Sequence, residues 1–142
     1  MMHARLRISH LSSIHIVLMT TRIITPEPTT FTIDATDRTL GRVCSEAAHA
    51  LLGKRSVHFT KNMALPMTVV IDNASKMNLP SRRTQGKVYQ HYTGYPGGQR
   101  LVRMDVMIEK KGIAEVVKKT VDGMIPRNRL RTPRMKNLIV NA

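Results

Sequence analysis

The sequence is poor in aromatic residues, in cysteine and in acidic residues, and it has no long hydrophobic run. With no tryptophan, three tyrosines and two phenylalanines among 142 residues, the core must be built from aliphatic side chains. Cys44 is the single cysteine, which excludes an intramolecular disulfide and favours a reducing compartment. No apolar run approaches the ~18 residues of a transmembrane helix, so we expect no membrane partner. What remains is the composition of one globular domain.

Acidic residues are outnumbered more than twofold by basic ones. Nine Asp and Glu against 23 Lys and Arg give a net charge of +14, and the sequence pI is near 11.0. A domain with a pI above about 9 has the electrostatic character of a protein that binds a polyanion. Residues 81–142 hold 14 basic and 4 acidic residues. The sequence therefore predicts that the binding surface is concentrated in this part of the chain.

Residues 1–30 are predicted to be an N-terminal extension, either a leader or a disordered segment, ahead of a single domain over residues 31–142. The first 18 residues contain two arginines and three serines but no acidic residue, which is the bias of an organellar presequence. A true start at Met19 would make them a dispensable leader, and an ordered extension is a third interpretation. Residues 26–30, PEPTT, are predicted to be a linker because of their prolines.

Three segments between residues 31 and 71 have the periodicity of a strand, a helix and a second strand. Residues 31–35, FTIDA, alternate apolar and polar side chains as a strand does. The helix is closed by Gly53 as a C-terminal cap. Its apolar face comprises Leu40, Val43, Cys44, Ala47, Ala48, Leu51 and Leu52. Residues 67–71, MTVVI, favour a strand buried on both faces. This order predicts an α/β fold with a small, mostly parallel sheet.

The second half of the sequence contains further predicted elements. Arg82–Arg83 are expected at an exposed hairpin tip, and residues 87–92 alternate as a strand does. Leu101–Lys111 is predicted to be a helix, followed after a glycine by a second amphipathic helix that Pro126 ends. The last apolar run is Leu138–Val140.

The candidate motifs for catalysis and nucleotide binding do not have the residue spacing that these functions require. Gly53–Lys54 follows a helix, where a P-loop precedes one, and it lacks the remaining P-loop residues. Gly94, Gly97 and Gly98 do not have the spacing of a dinucleotide-binding fingerprint. The six histidines include no pair at metal-ligand spacing, and Asp34 is interpreted as a turn or capping residue. We expect no catalysis, metal, cofactor or small-molecule substrate. A nucleotide-dependent enzyme on a Rossmann-like sheet is the alternative from another class.

Residues 87–100, KVYQHYTGYPGGQR, combine cations, aromatic side chains and glycines around one turn. RNA that is not recognised through a duplex groove is bound by such a combination, because cations neutralise phosphates while flat side chains stack on bases. Glycines allow backbone N–H groups to approach a phosphate closely. Alternatively, the stretch only connects two elements and its tyrosines pack on the core. Gly94–Gly97 also matches the bare GXXG of a KH clamp, which would suit a free RNA-binding module.

The C-terminal basic segment, RNRLRTPRMK over residues 127–136, has five basic residues and no acidic one. Repulsion among these charges must be relieved by an external anion. The segment is therefore predicted to contact phosphates. Its basic residues are Arg127, Arg129, Arg131, Arg134 and Lys136.

Three blocks of the sequence together resemble the large-subunit ribosomal protein thirteen family in its bacterial form. The first block is IDATDRTLGRVCSEAAHALLGK, residues 33–54, and the third is VDGMIPRNRLRTPRMKNLIV, residues 121–140. The second is KVYQHYTGYPGG, residues 87–98, which resembles the signature Lys-x-Tyr-x-x-His-[Ser/Thr]-Gly-x-x-Gly-Gly. The histidine of that signature corresponds to Tyr92, with His91 adjacent. Which of these two side chains takes over the site is open.

The resemblance implies a non-enzymatic protein of the large ribosomal subunit with a three-layer α/β/α fold, which binds 23S-type rRNA and acts early in subunit assembly. Its partners would be that rRNA and neighbouring large-subunit proteins. The setting would be the bacterial cytoplasm, or a mitochondrial or plastid ribosome if residues 1–18 are a transit segment. An extra-ribosomal RNA-binding module is the alternative. The predicted RNA-binding residues are Lys54, Arg55, His58, Lys61, Arg82, Arg83, Lys87, Tyr89, His91, Tyr92, Gly94, Tyr95, Gly97, Gly98, Arg100, Arg127, Arg129, Arg131, Arg134 and Lys136.

Overall fold

The computed structural model describes residues 28–142, so most of the predicted N-terminal extension lies outside the described residues. The elements, in chain order, are β1 (Thr29–Asp34), α1 (Leu40–Leu51), β2 (Met67–Asp72), a single 3-10 turn (Ala74–Lys76), α2 (Ser81–Gly86), β3 (Val88–Tyr92), β4 (Gln99–Arg103), α3 (Met104–Lys111), α4 (Ile113–Met124), α5 (Arg131–Lys136) and β5 (Leu138–Val140). Because β1 begins at Thr29, the end of the predicted linker belongs to the domain.

β1, β2 and β5 form a parallel sheet with β2 in the centre. β1 pairs with β2 from Thr29 to Asp34, and Leu138 of β5 pairs with Val69 of β2. Two parallel neighbours need a crossover connection, which α1 supplies between β1 and β2. The predicted α/β fold with a small, mostly parallel sheet is therefore confirmed.

Burial alternates along β2, although its sequence is apolar almost throughout. Met67, Val69 and Ile71 are buried, whereas Thr68 and Val70 are half-buried. The buried side chains belong to one core with α1 and α4, which pack against each other on the same side of the sheet. The strand is thus fully covered on one face only, which differs from the expectation of burial on both.

Small side chains on α1 allow α4 to approach it closely. Cys44, Ala47 and Ala48 are buried, and the Sγ of Cys44 lies 4.0 Å from the carbonyl oxygen of Val117 in α4. Burial raises the pKa of the Cys44 thiol to about 12, which keeps it neutral. Cys44 is therefore a small core residue, as its position on the apolar helix face predicts.

The end of α1 confirms Gly53 as the terminating residue. Its backbone N–H donates to the carbonyl oxygen of Ala50 at 2.8 Å, and its φ of 81° turns the chain away from the helix axis. The loop over residues 52–66 starts from this turn and leads into β2.

Arg82 and Arg83 lie in the short helix α2 and not at the predicted hairpin tip. Pro80 immediately precedes the helix with a φ of −62°, a value that the proline ring imposes. The backbone N–H of Arg83 donates to the carbonyl oxygen of Pro80 at 2.8 Å and closes the first turn. Both arginines are exposed. The prediction was therefore wrong about their backbone conformation and right about their exposure.

The hairpin is formed by β3 and β4, and the helix predicted over Leu101–Lys111 begins only at Met104. Gln99–Arg103 belongs to β4 because it pairs in antiparallel register with β3, with Arg100 opposite His91. This pairing supplies backbone hydrogen bonds from a partner strand, and so it overrides the local preference of a short segment. The hairpin packs beside α3 and α4 through the half-buried side chains on its inner face.

Candidate nucleic-acid interface

The β3–β4 hairpin closes through a turn that requires its glycines. Gly94 and Gly97 have φ values of 92° and 73°, in the left-handed region that favours glycine. The N–H of Gly98 donates to the carbonyl oxygen of Tyr95 at 2.9 Å, and a Cβ on Gly98 would collide with the Thr93 side chain. The turn alone thus explains these glycines, and their contact with an RNA phosphate stays a prediction.

The GXXG stretch over Gly94–Gly97 lies between two antiparallel strands. A KH clamp places this motif between two helices, so the match has the wrong structural context. The interpretation of this stretch as a KH-like clamp is therefore wrong.

The three tyrosines of the hairpin lie in different surroundings. Tyr89 packs against the core, and the Nζ atoms of Lys119 and Lys87 lie 4.8 and 5.7 Å from its ring centroid. Burial raises the pKa of the Tyr89 hydroxyl. Tyr92 and Tyr95, by contrast, are 61% and 75% exposed. The two exposed rings are available to stack on a base, whereas Tyr89 supports the hairpin from within.

Replacement of Tyr95 by alanine is expected to weaken RNA binding without lowering the thermal midpoint of unfolding. The ring is exposed, and a stacked base contributes about 1–3 kcal/mol, so the affinity should fall roughly 5- to 150-fold. The measurement is a titration with an rRNA fragment beside a thermal melt. Tyr95→Phe is the matched control and should bind like the wild type because it keeps the ring. An equal loss in both variants would contradict stacking.

The stretch from α2 to β4 presents an uncompensated positive surface. Arg82, Arg83 and Lys87 line a shallow depression of about 460 Å³, and all three are exposed. Arg100 of β4 lies opposite His91 of β3, and both are also exposed. Residues 81–100 contain no acidic residue. The positive surface therefore adjoins the exposed tyrosines of the turn.

The loop over residues 52–66 carries the exposed residues Lys54, His58 and Lys61. Arg55 differs, because its Nη2 donates to the Oε1 of Glu46 at 2.7 Å and its guanidinium lies 5.4 Å from the centroid of the Phe31 ring. Hydrogen bonds from Arg38 and from Arg55 lower the pKa of Glu46. The charge of Arg55 is thus partly balanced within the protein, which leaves less of it for an external anion.

The C-terminal basic segment contains exposed arginines and paired ones. Arg127 and Arg129 are exposed, and neither has a carboxylate partner in the described part of the chain. Arg131 donates through Nε and Nη2 to the carboxylate of Asp122, which holds α5 against α4. Lys136 is exposed. Only part of this segment is therefore free to meet a phosphate.

Arg134 lies in the interior, which contradicts its prediction as a phosphate contact. The residue is 3% exposed. Its Nη2 donates to the backbone carbonyl oxygen of Met63 at 3.1 Å, while its Nε has no partner within residues 28–142. Arg134 therefore ties α5 to the loop that precedes β2. The sequence did not predict this burial, because arginine is rarely fully buried and was therefore assigned to the surface.

Comparison with known proteins identifies the family of this chain. A family model described as ribosomal protein L13 matches residues 28–142. The chain belongs to the ribosomal protein L13 family. The resemblance seen in three sequence blocks is thereby confirmed.

Curated relatives of this L13-family chain match it over most of its length. The large ribosomal subunit protein uL13 of Geobacter sulfurreducens is 34% identical over 128 residues, which cover 88% of this chain and 89% of that protein. The uL13 protein of Hahella chejuensis is 38% identical over 112 residues, or 79% of this chain and 78% of the relative. That of Francisella philomiragia is 40% identical over 110 residues, or 78% and 77%.

The structure of this L13-family protein also brings together basic residues that sequence reasoning missed. Lys110 and Lys111 of α3 and Lys119 of α4 line a groove beside the hairpin, together with Arg100 of β4. In the sequence the lysines are indistinguishable from ordinary exposed helix residues. Only the packing of α3, α4 and the hairpin places them around one groove.

Side chains that the sequence raised as chemical candidates have structural roles in this L13-family protein. Asp34 accepts hydrogen bonds from the backbone N–H and the hydroxyl of Thr36, at 3.1 and 2.7 Å, and these bonds lower the pKa of its carboxyl. This confirms Asp34 as a turn residue. Among residues 28–142 no three His, Cys, Asp or Glu side chains form a group that could hold a metal ion. No helix in that part of the chain is long and apolar enough to cross a membrane.

Proposed function

We propose that this protein is a structural constituent of the large ribosomal subunit, where it binds 23S-type rRNA and helps the subunit to assemble at an early stage. The observation that carries the proposal is the stretch of residues 81–100, which contains four basic residues and no acidic one. The same stretch exposes Tyr92 and Tyr95. Relatives named as large-subunit proteins support it, because this chain shares most of its length with them.

The folded domain acts as a rigid platform from which the basic segments reach RNA. The core between the parallel sheet, α1 and α4 fixes the positions of these elements. Each Arg or Lys that meets a phosphate releases condensed counterions, which favours binding and makes it salt-dependent. Exposed aromatic rings add contacts with unpaired bases. Three predicted RNA-binding segments, namely residues 54–61, 82–100 and 127–136, contact separate parts of the rRNA and hold them together, which is the architectural role in assembly.

The partners of the protein are the large-subunit rRNA and the ribosomal proteins beside it. The relatives described above come from bacteria, which supports the ribosome of the bacterial cytoplasm as the setting. An organellar ribosome is the alternative that the composition of residues 1–18 raises.

Salt dependence tests the RNA-binding part of the proposal. If about six to ten phosphates are engaged, the affinity of the full chain for an rRNA fragment should fall roughly 10³- to 10⁵-fold between about 50 and 200 mM salt. The measurement is a set of binding titrations at increasing salt. An affinity that does not change with salt would contradict binding through phosphates.

Co-sedimentation tests the ribosomal part. The tagged full-length chain is expected to migrate with large subunits and to remain there after a wash at moderate salt. Binding to isolated RNA without co-sedimentation would instead favour the extra-ribosomal RNA-binding module.

A further inference from the structure

A groove of about 540 Å³ separates the β3–β4 hairpin from α3 and α4. Its volume falls in the range of about 300–1,000 Å³ that is typical of small-molecule pockets. Arg100 of β4 lines one side of the groove, and Lys110 of α3 lines the other. Because the hairpin and α3 line it from two sides, the groove is concave and not a flat basic surface.

The rim of the groove is positive and lacks internal compensation. Arg100, Lys110, Lys111 and Lys119 line it, and none of them has a carboxylate partner within residues 28–142. Arg103 is the exception, because its Nη2 lies 3.1 Å from the Oδ2 of Asp105. Four cations around one groove give it a positive potential, which favours an anionic ligand.

The floor of the groove is apolar, which an inorganic anion would not need. Val102 and Val106 are half-buried and Met107 is buried, and all three line the groove. Beside them lies the ring of Tyr89, whose centroid is 4.8 Å from the Nζ of Lys119. A ligand that matches both floor and rim has a flat, weakly polar part joined to a negative one. A nucleotide has this combination of a base and a phosphate.

We propose that this groove receives a single unpaired nucleotide extruded from folded RNA. Its base lies on the apolar floor, and its flanking phosphates meet the lysines of α3 and α4 and Arg100. This inference rests on the proposed function, because RNA supplies the nucleotide. RNA recognition generally uses splayed-out bases of loops and bulges, because the deep and narrow major groove of an A-form helix is closed to side chains.

The position of the groove relative to the hairpin supports this assignment. Tyr89 and His91 are on the same face of β3 as their β4 partners Val102 and Arg100, and all four line the groove. The exposed ring of Tyr95 follows at the turn. A strand of RNA that passes over the turn therefore reaches the groove within a short distance.

The test compares two RNA hairpins that differ by one residue. One carries a single bulged fluorescent adenine analogue, and the other is fully paired. The full-length wild-type chain is expected to bind the bulged hairpin roughly 5- to 150-fold more tightly, the range for one stacked base, and to change the fluorescence of the analogue. Equal affinity for the two hairpins, with unchanged fluorescence, would overturn the proposal.

Two variants locate the effect in the groove. Val106→Phe fills the floor and should abolish the preference for the bulged hairpin while leaving the affinity for the paired one. Lys110→Glu should reduce the preference, whereas Lys118→Glu, which makes the same charge change at an exposed residue outside the groove, should preserve it. Thermal melts confirm that each variant is folded. A preference that survives both Val106→Phe and Lys110→Glu would overturn the assignment.

The source of the nucleotide is tested by competition with free adenosine monophosphate. We expect it to compete poorly, because it carries one phosphate, whereas a nucleotide within RNA has a phosphate on each side to meet the rim. Release of the bulged hairpin at equimolar free nucleotide would overturn RNA as the source. The proposed function has a separate outcome: if the paired hairpin and rRNA are not bound at all, that function fails. If they are bound without preference for the bulge, only the groove assignment fails.

Discussion

Replacing Arg127 and Arg129 together by alanine is expected to weaken rRNA binding about 100-fold, because each charged contact with a phosphate contributes about 1.5 kcal/mol or more. Both side chains are exposed and have no carboxylate partner in the described residues. The slope of log affinity against log salt should become shallower by about 2, because two phosphate contacts are lost. Their removal leaves the core intact, so the thermal midpoint should not change.

A matched control separates this effect from a general loss of charge. Lys76→Ala combined with Lys118→Ala also removes two exposed positive charges, but outside the three predicted RNA-binding segments. We expect this pair to change the affinity severalfold less. If both double variants weaken binding equally, net charge and not the C-terminal basic segment determines affinity. If the arginine variant also unfolds at lower temperature, these side chains are structural.

Replacing Arg134 by alanine should lower the free energy of unfolding by about 2–4 kcal/mol, which is the range for truncating a large buried side chain. The residue is buried, and it donates to the carbonyl oxygen of Met63 in the loop before β2. Truncation leaves a cavity and detaches α5 from that loop. The measurement is the midpoint of urea unfolding at a fixed slope.

Arg134→Met provides the control for Arg134→Ala, because methionine fills much of the same volume without a charge. A buried charge without a carboxylate partner is costly, so methionine should cost less than about 1 kcal/mol relative to the wild type. The folded methionine variant should bind rRNA like the wild type. Lost binding at unchanged stability would restore Arg134 as a phosphate contact. Equal destabilisation in both variants would show that the guanidinium hydrogen bond dominates over packing.

The contrast between Arg127 and Arg134 shows where sequence reasoning reaches its limit. Both residues belong to one basic segment without acidic residues, and the charge pattern assigns them the same role. The structure separates them, because α5 turns Arg134 into the interior and leaves Arg127 outside. A six-residue helix is too short for its buried face to be recognised from apolar periodicity.

The strand β4 shows a related limit of prediction from sequence. Gln99–Arg103 alternates poorly and continues into a helical segment, so nothing local marks the point where strand becomes helix. That point is set by pairing with β3, over residues that lie about ten positions earlier in the chain. The α1 and α4 helices, by contrast, each carry a long apolar stripe, and both were predicted in place.

The sequence by itself determined the fold class, the two long helices, the first two strands of the parallel sheet, the family and the excess of positive charge in residues 81–142. These follow from periodicity, composition and motif spacing, which are properties of neighbouring residues. Only the tertiary structure decided that Arg134 is buried, that Arg55 and Arg131 are paired with acidic residues, and that Lys110, Lys111 and Lys119 surround one groove. Those facts depend on which distant segments meet, and the energy of a charge depends on its neighbours in space and not on its neighbours in sequence.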